Sequence, residues 1–386
     1  MRVVIAPDKY KDSATAQVAA EAMARGVRAA VPDAEVDLCP LADGGEGTVE
    51  ALLAAAGGER RRTWVTGPLG TPVEAEWAVL ADGAAVIEMA AAAGLALVPP
   101  GRRDPARTTT FGVGELIRDA LDAGVSRIVV GVGGSGTVDG GVGAAQALGV
   151  DFRLEGPSGA GSPSSRPLNG GDLRHLVAAG LNGVDPRLAV TDLAVACDVT
   201  NPLLGPNGAA AVYAPQKGAN PEQVEMLEAG LAHLAVLAAA PGTSLHLAAD
   251  TPGAGAAGGL AFGLAAFFGA RLVSGIDVVL AQVGFAERLR GADLVLTGEG
   301  RLDGQSLQGK TCVGVARAAR AVGVPAMALV GSVGPGAERA REEGLVAVFS
   351  MCDAPMVLEH AMRDVERLLE AAAHEALSLV AAFAER

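Results

Sequence analysis

The fold is decided by one stretch towards the carboxyl end, Leu294-Val-Leu-Thr-Gly-Glu-Gly-Arg-Leu-Asp-Gly-Gln-Ser-Leu-Gln-Gly-Lys-Thr311. It begins with an apolar run typical of a buried strand, passes through a glycine-rich turn, and ends where a helical pattern begins. The pattern predicts a strand over Leu294–Thr297, a helix over Thr311–Val322 and a strand over Ala326–Val330. A strand, a helix and a strand in this order predict a parallel sheet that carries helices on its faces.

The same alternation continues towards both ends of the chain. Val346–Ser350 predicts a further strand and Met356–Ala384 predicts a long helix. At the amino end, Val3–Ala6 and Glu35–Leu38 predict strands, and Ser13 is the expected cap of the helix between them. We therefore expect an α/β fold in which the two ends of the chain share one doubly wound, parallel-sheet domain.

The middle of the chain predicts a second α/β domain. Arg62–Thr66 and Val73–Val79 flank a turn rich in glycine and proline, which predicts a hairpin. The expected boundaries are residues 1–66 with 285–386 for a discontinuous domain and 67–284 for the inserted one. The active site is expected in the cleft between the two domains.

The charge and the cysteine content exclude several classes of protein. A net charge of −14 with only 3% aromatic residues provides neither the basic field nor the stacking surfaces of a nucleic-acid-binding protein. The four cysteines form no C-x-x-C pair, so neither a zinc site nor a disulfide framework is expected. This cysteine usage predicts a reducing, cytoplasmic location, and the amino terminus is expected to be a strand rather than a signal peptide.

One uncharged segment, Thr251–Ala270, needs to be distinguished from a membrane span. Its first half is crowded with glycines, which disfavour a helix. We therefore expect a glycine-rich loop that enters a buried helix, and no membrane partner.

Lysine is rare in this chain. Lysine and arginine total 30, and only four are lysines, namely Lys9, Lys11, Lys217 and Lys310. A compact ammonium group suits a phosphate or a charged substrate, whereas a guanidinium group is a wide fork. An ordinary surface role is the alternative for any single lysine, but the four together favour a role in chemistry.

Two glycine-rich loops match phosphate-binding motifs. Gly131-Val-Gly-Gly-Ser-Gly136 follows a predicted strand and fits G-x-G-x-x-G, and Asp151 follows about 20 residues on, as a dinucleotide-binding fold requires. Gly304-Gln-Ser-Leu-Gln-Gly-Lys-Thr311 fits G-x-x-x-x-G-K-S/T, the phosphate loop of many nucleotide hydrolases. Chance matches are expected in a chain with 53 glycines.

Acidic side chains follow four of the predicted strands. They are Asp43 with Glu46, Asp139, Asp198, and Glu299 with Asp303. In open α/β sheets, ligands bind beyond the carboxyl ends of the strands. Mg²⁺ prefers one or two carboxylates together with substrate phosphates, and phosphoryl transfer needs such carboxylates, lysines and backbone N–H groups together. A helix cap or a turn is the alternative for any single aspartate.

The hydroxyl-bearing run Thr108–Thr110 precedes a predicted helix and fits either an anion site or a helix cap. The five histidines lie in helical or loop contexts without a Ser/His/Asp setting, so a hydrolase triad is not expected.

Taken together, the motifs resemble the bacterial glycerate kinase family, in its type 1 form that makes 2-phosphoglycerate. The resemblance runs in chain order through Ala6-Pro-Asp-Lys-Tyr-Lys-Asp-Ser13, Ala42-Asp-Gly-Gly-Glu-Gly-Thr48, Thr66-Gly-Pro-Leu-Gly70, Ile87-Glu-Met-Ala90, Thr108-Thr-Thr-Phe-Gly112, Gly133-Gly-Ser-Gly-Thr-Val-Asp-Gly-Gly141, Ala196-Cys-Asp-Val-Thr-Asn-Pro202, Gly205-Pro-Asn-Gly-Ala209, Pro215-Gln-Lys-Gly218, Gly253-Ala-Gly-Ala-Ala-Gly-Gly259 and Thr297-Gly-Glu-Gly-Arg-Leu-Asp-Gly304. It implies ATP, Mg²⁺ and D-glycerate, with transfer to the 2-hydroxyl, and a two-domain protein with one flavodoxin-like domain.

On this basis we assign provisional roles. The expected catalytic residues are Asp198, Asp43, Lys11 and Lys310, where either aspartate accepts or orients the hydroxyl proton. Substrate binding is expected from Asp8, Lys11, Lys217, Ser135 and Thr109. Nucleotide binding is expected from Gly133, Gly134, Gly298, Gly300, Arg301, Gly304, Gly309 and Lys310, and Mg²⁺ binding from Glu299, Asp303 or Asp139.

Two other functions remain open at this stage. An NAD-dependent oxidoreductase acting on a small hydroxy acid would use the 131–136 loop, and a regulator that senses sugar acids would carry no catalysis. The sequence does not fix the oligomeric state, and a homodimer is one of the assemblies that it allows.

Overall fold

The chain folds into two compact units. The computed structural model describes residues 1–42, 47–155, 161–239, 247–304 and 306–384. The first unit holds residues 1–43, 50–56 and 274–386, and the second holds residues 44–49 and 57–273.

The described elements alternate along much of the chain. The strands are β1 (Arg2–Pro7), β2 (Glu35–Leu38), β3 (Gly58–Thr66), β4 (Pro72–Leu80), β5 (Ala85–Glu88), β6 (Arg127–Gly131), β7 (Asp151–Leu154), β8 (Ser162–Pro163), β9 (Leu176–Gly180), β10 (Asp192–Ala196), β11 (Arg271–Val273), β12 (Leu294–Leu302), β13 (Ala326–Val333) and β14 (Leu345–Ser350). The α-helices are α1 (Ala16–Ala30), α2 (Thr48–Ala56), α3 (Ala90–Ala93), α4 (Phe111–Asp122), α5 (Val142–Ala147), α6 (Ala209–Tyr213), α7 (Pro221–Ala238), α8 (Ala256–Phe268), α9 (Gly275–Gln282), α10 (Phe285–Arg288), α11 (Thr311–Ala321), α12 (Leu358–Arg363) and α13 (Val365–Ala384). Short 3₁₀ turns cover Leu95–Leu97, Pro100–Arg102, Gly170–His175, Pro186–Val190, Pro215–Lys217, Ser306–Gln308 and Ala337–Arg341.

The first unit is built on a parallel sheet in the order β14-β13-β12-β1-β2. Strand β1 from the amino end pairs with β12, with Val3 opposite Leu294 and Pro7 opposite Gly298. All four neighbouring pairs in this sheet are parallel. The predicted parallel α/β sheet is therefore confirmed, and residues from both ends of the chain share it.

The core of the first unit forms between this sheet and two helices. The inward side chains of β1 and β12, including Ile5 and Leu296, are fully buried. Helices α1 and α13 contact each other and contribute Met23 and Leu369 to the same apolar cluster. This continuous burial on the central strands explains why they read as apolar runs in the sequence.

The second unit contains a mixed sheet in the order β11-β10-β6-β5-β4-β3 and a small antiparallel sheet in the order β8-β7-β9. Strands β5, β6, β10 and β11 are parallel to one another. Strands β3 and β4 form the predicted antiparallel hairpin, which pairs Thr66 with Pro72. The carboxyl ends of β6 and β10 are neighbours, and this places the loops after them side by side.

The uncharged segment Thr251–Ala270 forms a loop followed by the buried helix α8, as expected. Residues 257–259 take left-handed backbone angles, so the helix proper begins after them. None of the helices in the described part of the chain could span a bilayer.

One local prediction was wrong. Thr15, not Ser13, caps α1, and its hydroxyl accepts a hydrogen bond from the Val18 amide. The structure closes residues 10–14 into a tight turn through the Tyr10–Ala14 bridge, and this turn delays the start of the helix.

Candidate active site

In the first unit, Asp8 joins the end of β1 to the start of helix α11. Its Oδ2 accepts a hydrogen bond from the Thr311 hydroxyl at 2.6 Å, and its Oδ1 accepts one from the Lys9 amide at 2.7 Å. The Asp8 amide donates to the Gly298 carbonyl at 2.8 Å, one strand across. Asp8 and Thr311 are both buried, so this contact fixes the helix terminus relative to the sheet.

Glu299 lies on the adjacent strand β12 and is almost fully buried. Burial raises the pKa of the Cys312 thiol well above 9.0, and the negative charges of Glu299 and Asp8 raise it further. Burial likewise raises the pKa of Tyr10 well above 10.0, with the same thiol and carboxylates adding to the shift. Asp8 and Glu299 lie near the same buried groups, because Asp8 directly follows Pro7 of β1 and Glu299 directly follows Gly298, the residue of β12 that pairs with Pro7.

Gly298 is required by the crowding at this point of the sheet. A Cβ atom there would lie 2.1 Å from the Tyr10 hydroxyl oxygen and 2.3 Å from the Leu329 carbonyl oxygen. The Tyr10 hydroxyl donates to that same carbonyl. The glycine therefore leaves room for the Tyr10 hydroxyl to reach the Leu329 carbonyl of β13.

The predicted phosphate loop differs from a simple strand–loop–helix. Strand β12 continues to Leu302, and a 3₁₀ turn over Ser306–Gln308 precedes α11. Lys310 occupies the N-cap position of α11, and its side chain does not cap the helix. Arg301 donates to Asp303 at 3.0 Å on the exposed side of this turn. The carbonyl of Pro335 accepts from the Gly304 amide at 2.9 Å, which holds the turn against the loop that follows β13.

The remaining predicted residues of the first unit surround this turn. Gly300 continues β12 and Gly309 directly precedes Lys310, while Lys11 is exposed after β1. The structure thus brings Asp8, Glu299, Thr311 and Lys310 to one end of one sheet. Asp43 and Glu46 lie outside the described residues.

In the second unit, the glycine-rich loop 132–141 is held at several points. The carbonyl of Gly134 accepts from the Leu95 amide at 2.9 Å, and the Gly136 amide donates to the Ala93 carbonyl at 2.8 Å. The Thr108 hydroxyl donates to the Gly136 carbonyl at 2.9 Å. The tip Gly133–Ser135 stays partly or fully exposed, so the loop presents a fixed backbone to solvent.

Asp139 does not fit its predicted role as a metal ligand, because its carboxylate is buried and both of its oxygens already accept hydrogen bonds from protein donors. Its Oδ2 accepts from the Thr110 amide and hydroxyl, both at 2.8 Å, and its Oδ1 accepts from the Gly141 amide at 3.1 Å. Burial raises the pKa of Asp139, and the hydrogen bonds from Thr110 and the glycine amides oppose that shift. Asp139 therefore anchors the base of the loop.

Lys217 does not fit its predicted role as a substrate contact either. Its side chain is 2% exposed, and its Nζ donates to the Ser135 hydroxyl at 2.7 Å and to the Thr137 carbonyl at 2.8 Å. The ammonium group therefore lies behind the loop and supports it from the protein side.

The threonine run also has structural partners. Thr110 binds Asp139, and Thr108 binds the Gly136 carbonyl. The Thr109 hydroxyl accepts from the Phe111 amide at 3.2 Å, at the start of α4. Thr108 and Thr110 therefore tie the loop after β6 to the start of α4, although Thr110, the N-cap residue, makes no side-chain capping hydrogen bond.

Asp198 follows β10, directly beside the loop after β6. It is half-buried, and burial raises the pKa of its neighbour Cys197 to about 11, with the Asp198 charge adding to the shift. The Cys197 amide donates to the Val273 carbonyl at 2.9 Å, which extends the sheet pairing up to Asp198. The backbone that carries Asp198 is thus held by the sheet.

Glu88, which the sequence analysis did not single out, ends β5 in the same row of strand ends. Its Oε1 accepts from the amides of Gly47 at 3.1 Å and Val49 at 2.8 Å. It thereby fixes the start of helix α2. The signal for this residue in the sequence was an acidic side chain directly after the apolar run Ala85-Val-Ile87.

The dinucleotide-binding alternative does not fit this geometry. A dinucleotide fold needs a helix that opens within the glycine motif, but α5 begins only at Val142 and ends at Ala147. Asp151 lies on β7, which belongs to the small antiparallel sheet and not beside β6. The glycine motif and Asp151, which suggested NAD, are therefore not arranged as in a dinucleotide-binding site.

The fold and these strand-end loops define an α/β enzyme, and comparison with known proteins gives its family. The model of the glycerate kinase family matches residues 3–381. A glycerate kinase of Halalkalibacterium halodurans is 48% identical over 373 residues, covering 96% of each chain. The Escherichia coli glycerate 2-kinase is 45% identical over 365 residues, covering 94% of this chain and 93% of the other.

A solved structure agrees with the sequence relatives. The crystal structure of a candidate glycerate kinase 2 from Salmonella typhimurium LT2 covers all of both chains with a TM-score of 0.85 and 43% identity. This chain therefore belongs to the glycerate kinase family, and it is an enzyme of the kinase class.

Proposed function

We propose that this enzyme transfers a phosphoryl group from ATP to the 2-hydroxyl of D-glycerate, giving 2-phosphoglycerate and ADP. The match of the glycerate kinase family along residues 3–381 carries the proposal. The name of the Escherichia coli relative, glycerate 2-kinase, supports the choice of hydroxyl. The two sets of strand-end residues supply the groups that such a transfer needs.

ATP is assigned to the first unit. The backbone of Gly300, Gly304 and Gly309 permits close approach to phosphates, whereas the space beside Gly298 is filled by the Tyr10 hydroxyl and the Leu329 carbonyl. Lys310 stands at the amino end of α11, where helix dipole and N–H groups favour an anion. Lys11 and Arg301 are exposed near this end of the sheet and offset charge that develops on the transferred group.

Mg²⁺ is assigned to Glu299 and Asp303. The described residues hold no group of three or more acidic, histidine or cysteine side chains able to bind a metal alone. The two carboxylates of Glu299 and Asp303 fit Mg²⁺, which completes its coordination shell with phosphate oxygens and water rather than with further protein ligands. When bound, the ion neutralises phosphate charge; the protein's own groups orient the reactants.

Glycerate is assigned to the second unit. The exposed tip Gly133–Ser135 offers backbone N–H groups and a hydroxyl for the substrate carboxylate. Asp198, at the neighbouring strand end, orients the 2-hydroxyl and accepts its proton during transfer. Asp43 is the second candidate for that role.

The finer architecture belongs to the same proposal. In chain order, the sheet of the first unit reads 2-1-3-4-5 across its width, which is the flavodoxin order. We propose that the first unit is a flavodoxin-like domain, that the second unit is inserted into it along the chain, and that each supplies groups that bind the substrates. Exclusion of water from the active site would protect ATP from hydrolysis.

A coupled ADP assay tests the proposal. ADP release should depend on D-glycerate, should persist at a reduced rate with tartronate, which keeps a 2-hydroxyl beside a carboxylate, and should be absent with glycerol, which lacks the carboxylate. Reduction of NAD by glycerate without ATP would instead support an oxidoreductase. ADP release that ignores glycerate would refute the proposed substrate.

A further inference from the structure

The turn that carries Lys217 holds two loops of the second unit at once. On one side, the Lys217 Nζ donates to the Ser135 hydroxyl and the Thr137 carbonyl, at 2.7 and 2.8 Å. Both acceptors belong to the loop after β6; Ser135 is the last residue of its exposed tip, and Thr137 is buried two residues further on. The ammonium group therefore fixes the position of that tip relative to the turn that carries Lys217.

On the other side, Tyr213 binds the loop after β10. Its hydroxyl donates to the Asn201 Oδ1 at 2.6 Å. Asn201 in turn donates through Nδ2 to the Asn207 carbonyl at 2.8 Å, and its own carbonyl accepts from the Gly255 amide at 3.0 Å. Asn201 lies three residues after Asp198, so this network fixes the segment that leaves the carboxylate.

The two contacts are linked to each other. The Lys217 Nζ lies 5.9 Å from the centre of the Tyr213 ring, within the range of a cation–π contact. Both residues belong to one continuous segment, α6 followed by the 3₁₀ turn Pro215–Lys217. Gly218 ends it with φ of 101°, and a Cβ there would lie 2.4 Å from the Arg103 carbonyl oxygen, so this end of the turn requires glycine.

We propose that Lys217 and Tyr213 are positioning residues of the glycerate site, which set the spacing between the loop tip Gly133–Ser135 and Asp198. This inference rests on the proposed function and names the residues that hold its substrate-binding half in place. Neither residue touches the substrate. They act through the loops that do.

The choice of lysine follows from the geometry. The Ser135 hydroxyl and the Thr137 carbonyl both accept hydrogen bonds from the buried Nζ atom of Lys217. A planar guanidinium group is too wide to take the place of this single nitrogen atom. This explains a lysine at position 217 in a chain whose other cations are mostly arginine. Asp139 is the acidic group whose charge acts on Lys217, and the Tyr213 hydroxyl points away to Asn201.

The test compares Lys217→Met, Lys217→Arg and Tyr213→Phe with Gln216→Ala, an exposed neighbour in the same turn. Lys217→Met and Lys217→Arg should raise KM for glycerate about tenfold and lower kcat/KM about 100-fold, since small displacements of a binding group cost this much. KM for ATP should stay within about twofold. A mere loss of folded enzyme would lower kcat and leave both KM values unchanged.

Tyr213→Phe keeps the ring and removes only the hydroxyl. It should lower kcat about threefold to tenfold, since a displaced Asp198 affects the transfer step. Its glycerate KM should stay close to wild type. Gln216→Ala should match the wild type in every constant. A Lys217→Met enzyme with wild-type KM for glycerate would overturn the proposal.

Hydrogen–deuterium exchange gives a readout that does not depend on activity. Lys217→Met should speed exchange in peptides covering 132–141, and Tyr213→Phe in peptides covering 197–203, while Gln216→Ala should change neither. Unchanged exchange in both loops would refute the positioning role even if activity fell. Wild-type enzyme without glycerate-dependent ADP release would refute the proposed function instead, and the exchange result would still decide whether the two residues hold the loops.

Discussion

Replacing Lys217 by methionine should change how the stability of the second unit depends on pH. The ammonium group is buried, and burial lowers the pKa of Lys217 from 10.5 to about 7, although the nearby Asp139 charge opposes the shift. In the unfolded chain the lysine regains its ordinary pKa. The folded and unfolded states therefore bind different numbers of protons over a wide range of pH.

The direction and the size of the change in stability with pH follow from the folded and the unfolded pKa of Lys217. Below about pH 7 the lysine is protonated in both states, and the folded state bears the full cost of a buried cation. Between about pH 7 and 10.5 only the unfolded state holds the proton, so wild-type stability rises with pH by about 1.4 kcal/mol per pH unit. Methionine does not titrate. Wild type should therefore gain about 2 to 3 kcal/mol over Lys217→Met between pH 6 and 9.

The chain provides a convenient probe for this measurement. It has two tryptophans, Trp64 and Trp77, and both lie on the hairpin of the second unit. Denaturant unfolding followed by tryptophan fluorescence therefore reports the unit that contains Lys217. Wild type, Lys217→Met and Gln216→Ala should be compared at several values from pH 6 to 9. A stability difference between wild type and Lys217→Met that stays flat across this range would refute the reasoning.

Three further predictions address the proposed machinery and its support. Asp198→Asn should lower kcat at least 100-fold with little change in KM for ATP; an unchanged kcat would remove Asp198 from the chemistry. Glu299→Gln should raise the Mg²⁺ concentration for half-maximal activity about tenfold, and an unaltered Mg²⁺ dependence would assign the ion to other ligands. Thr311→Val should destabilise the first unit by about 1 to 3 kcal/mol, since it removes the hydrogen bond that the Thr311 hydroxyl donates to the buried Asp8 carboxylate. Thr311→Ser should restore most of that loss, and equal unfolding midpoints for the two variants would contradict this account.

The alternation of strands and helices could be read from the sequence because parallel strands buried on both faces must be apolar along their whole length. The stretch 294–330 shows this clearly, and the structure confirms its strand–helix–strand order. The hairpin of β3 and β4 was predictable from its turn residues. These features depend on local sequence.

The pairing of β1 with β12 depends on contacts between residues almost 300 positions apart, and it was inferred only from the matching patterns at both ends. The burial of Lys217 and Asp139 was not predictable in this way. A lysine or an aspartate in a glycine-rich turn looks the same in sequence whether it faces a ligand or supports the loop from behind. The hydrogen bonds to Ser135, Thr137 and Thr110 decide between these roles, and they form only in the folded unit.

Phosphorus NMR of the reaction product tests the central claim most directly. With wild-type enzyme, ATP, Mg²⁺ and D-glycerate, the account predicts ADP and a phosphate monoester whose phosphorus signal is split into a doublet by the single proton on carbon 2. A triplet, from phosphate on the carbon that bears two protons, would contradict transfer to the 2-hydroxyl. The absence of any glycerate ester alongside folded protein would contradict the proposed reaction itself.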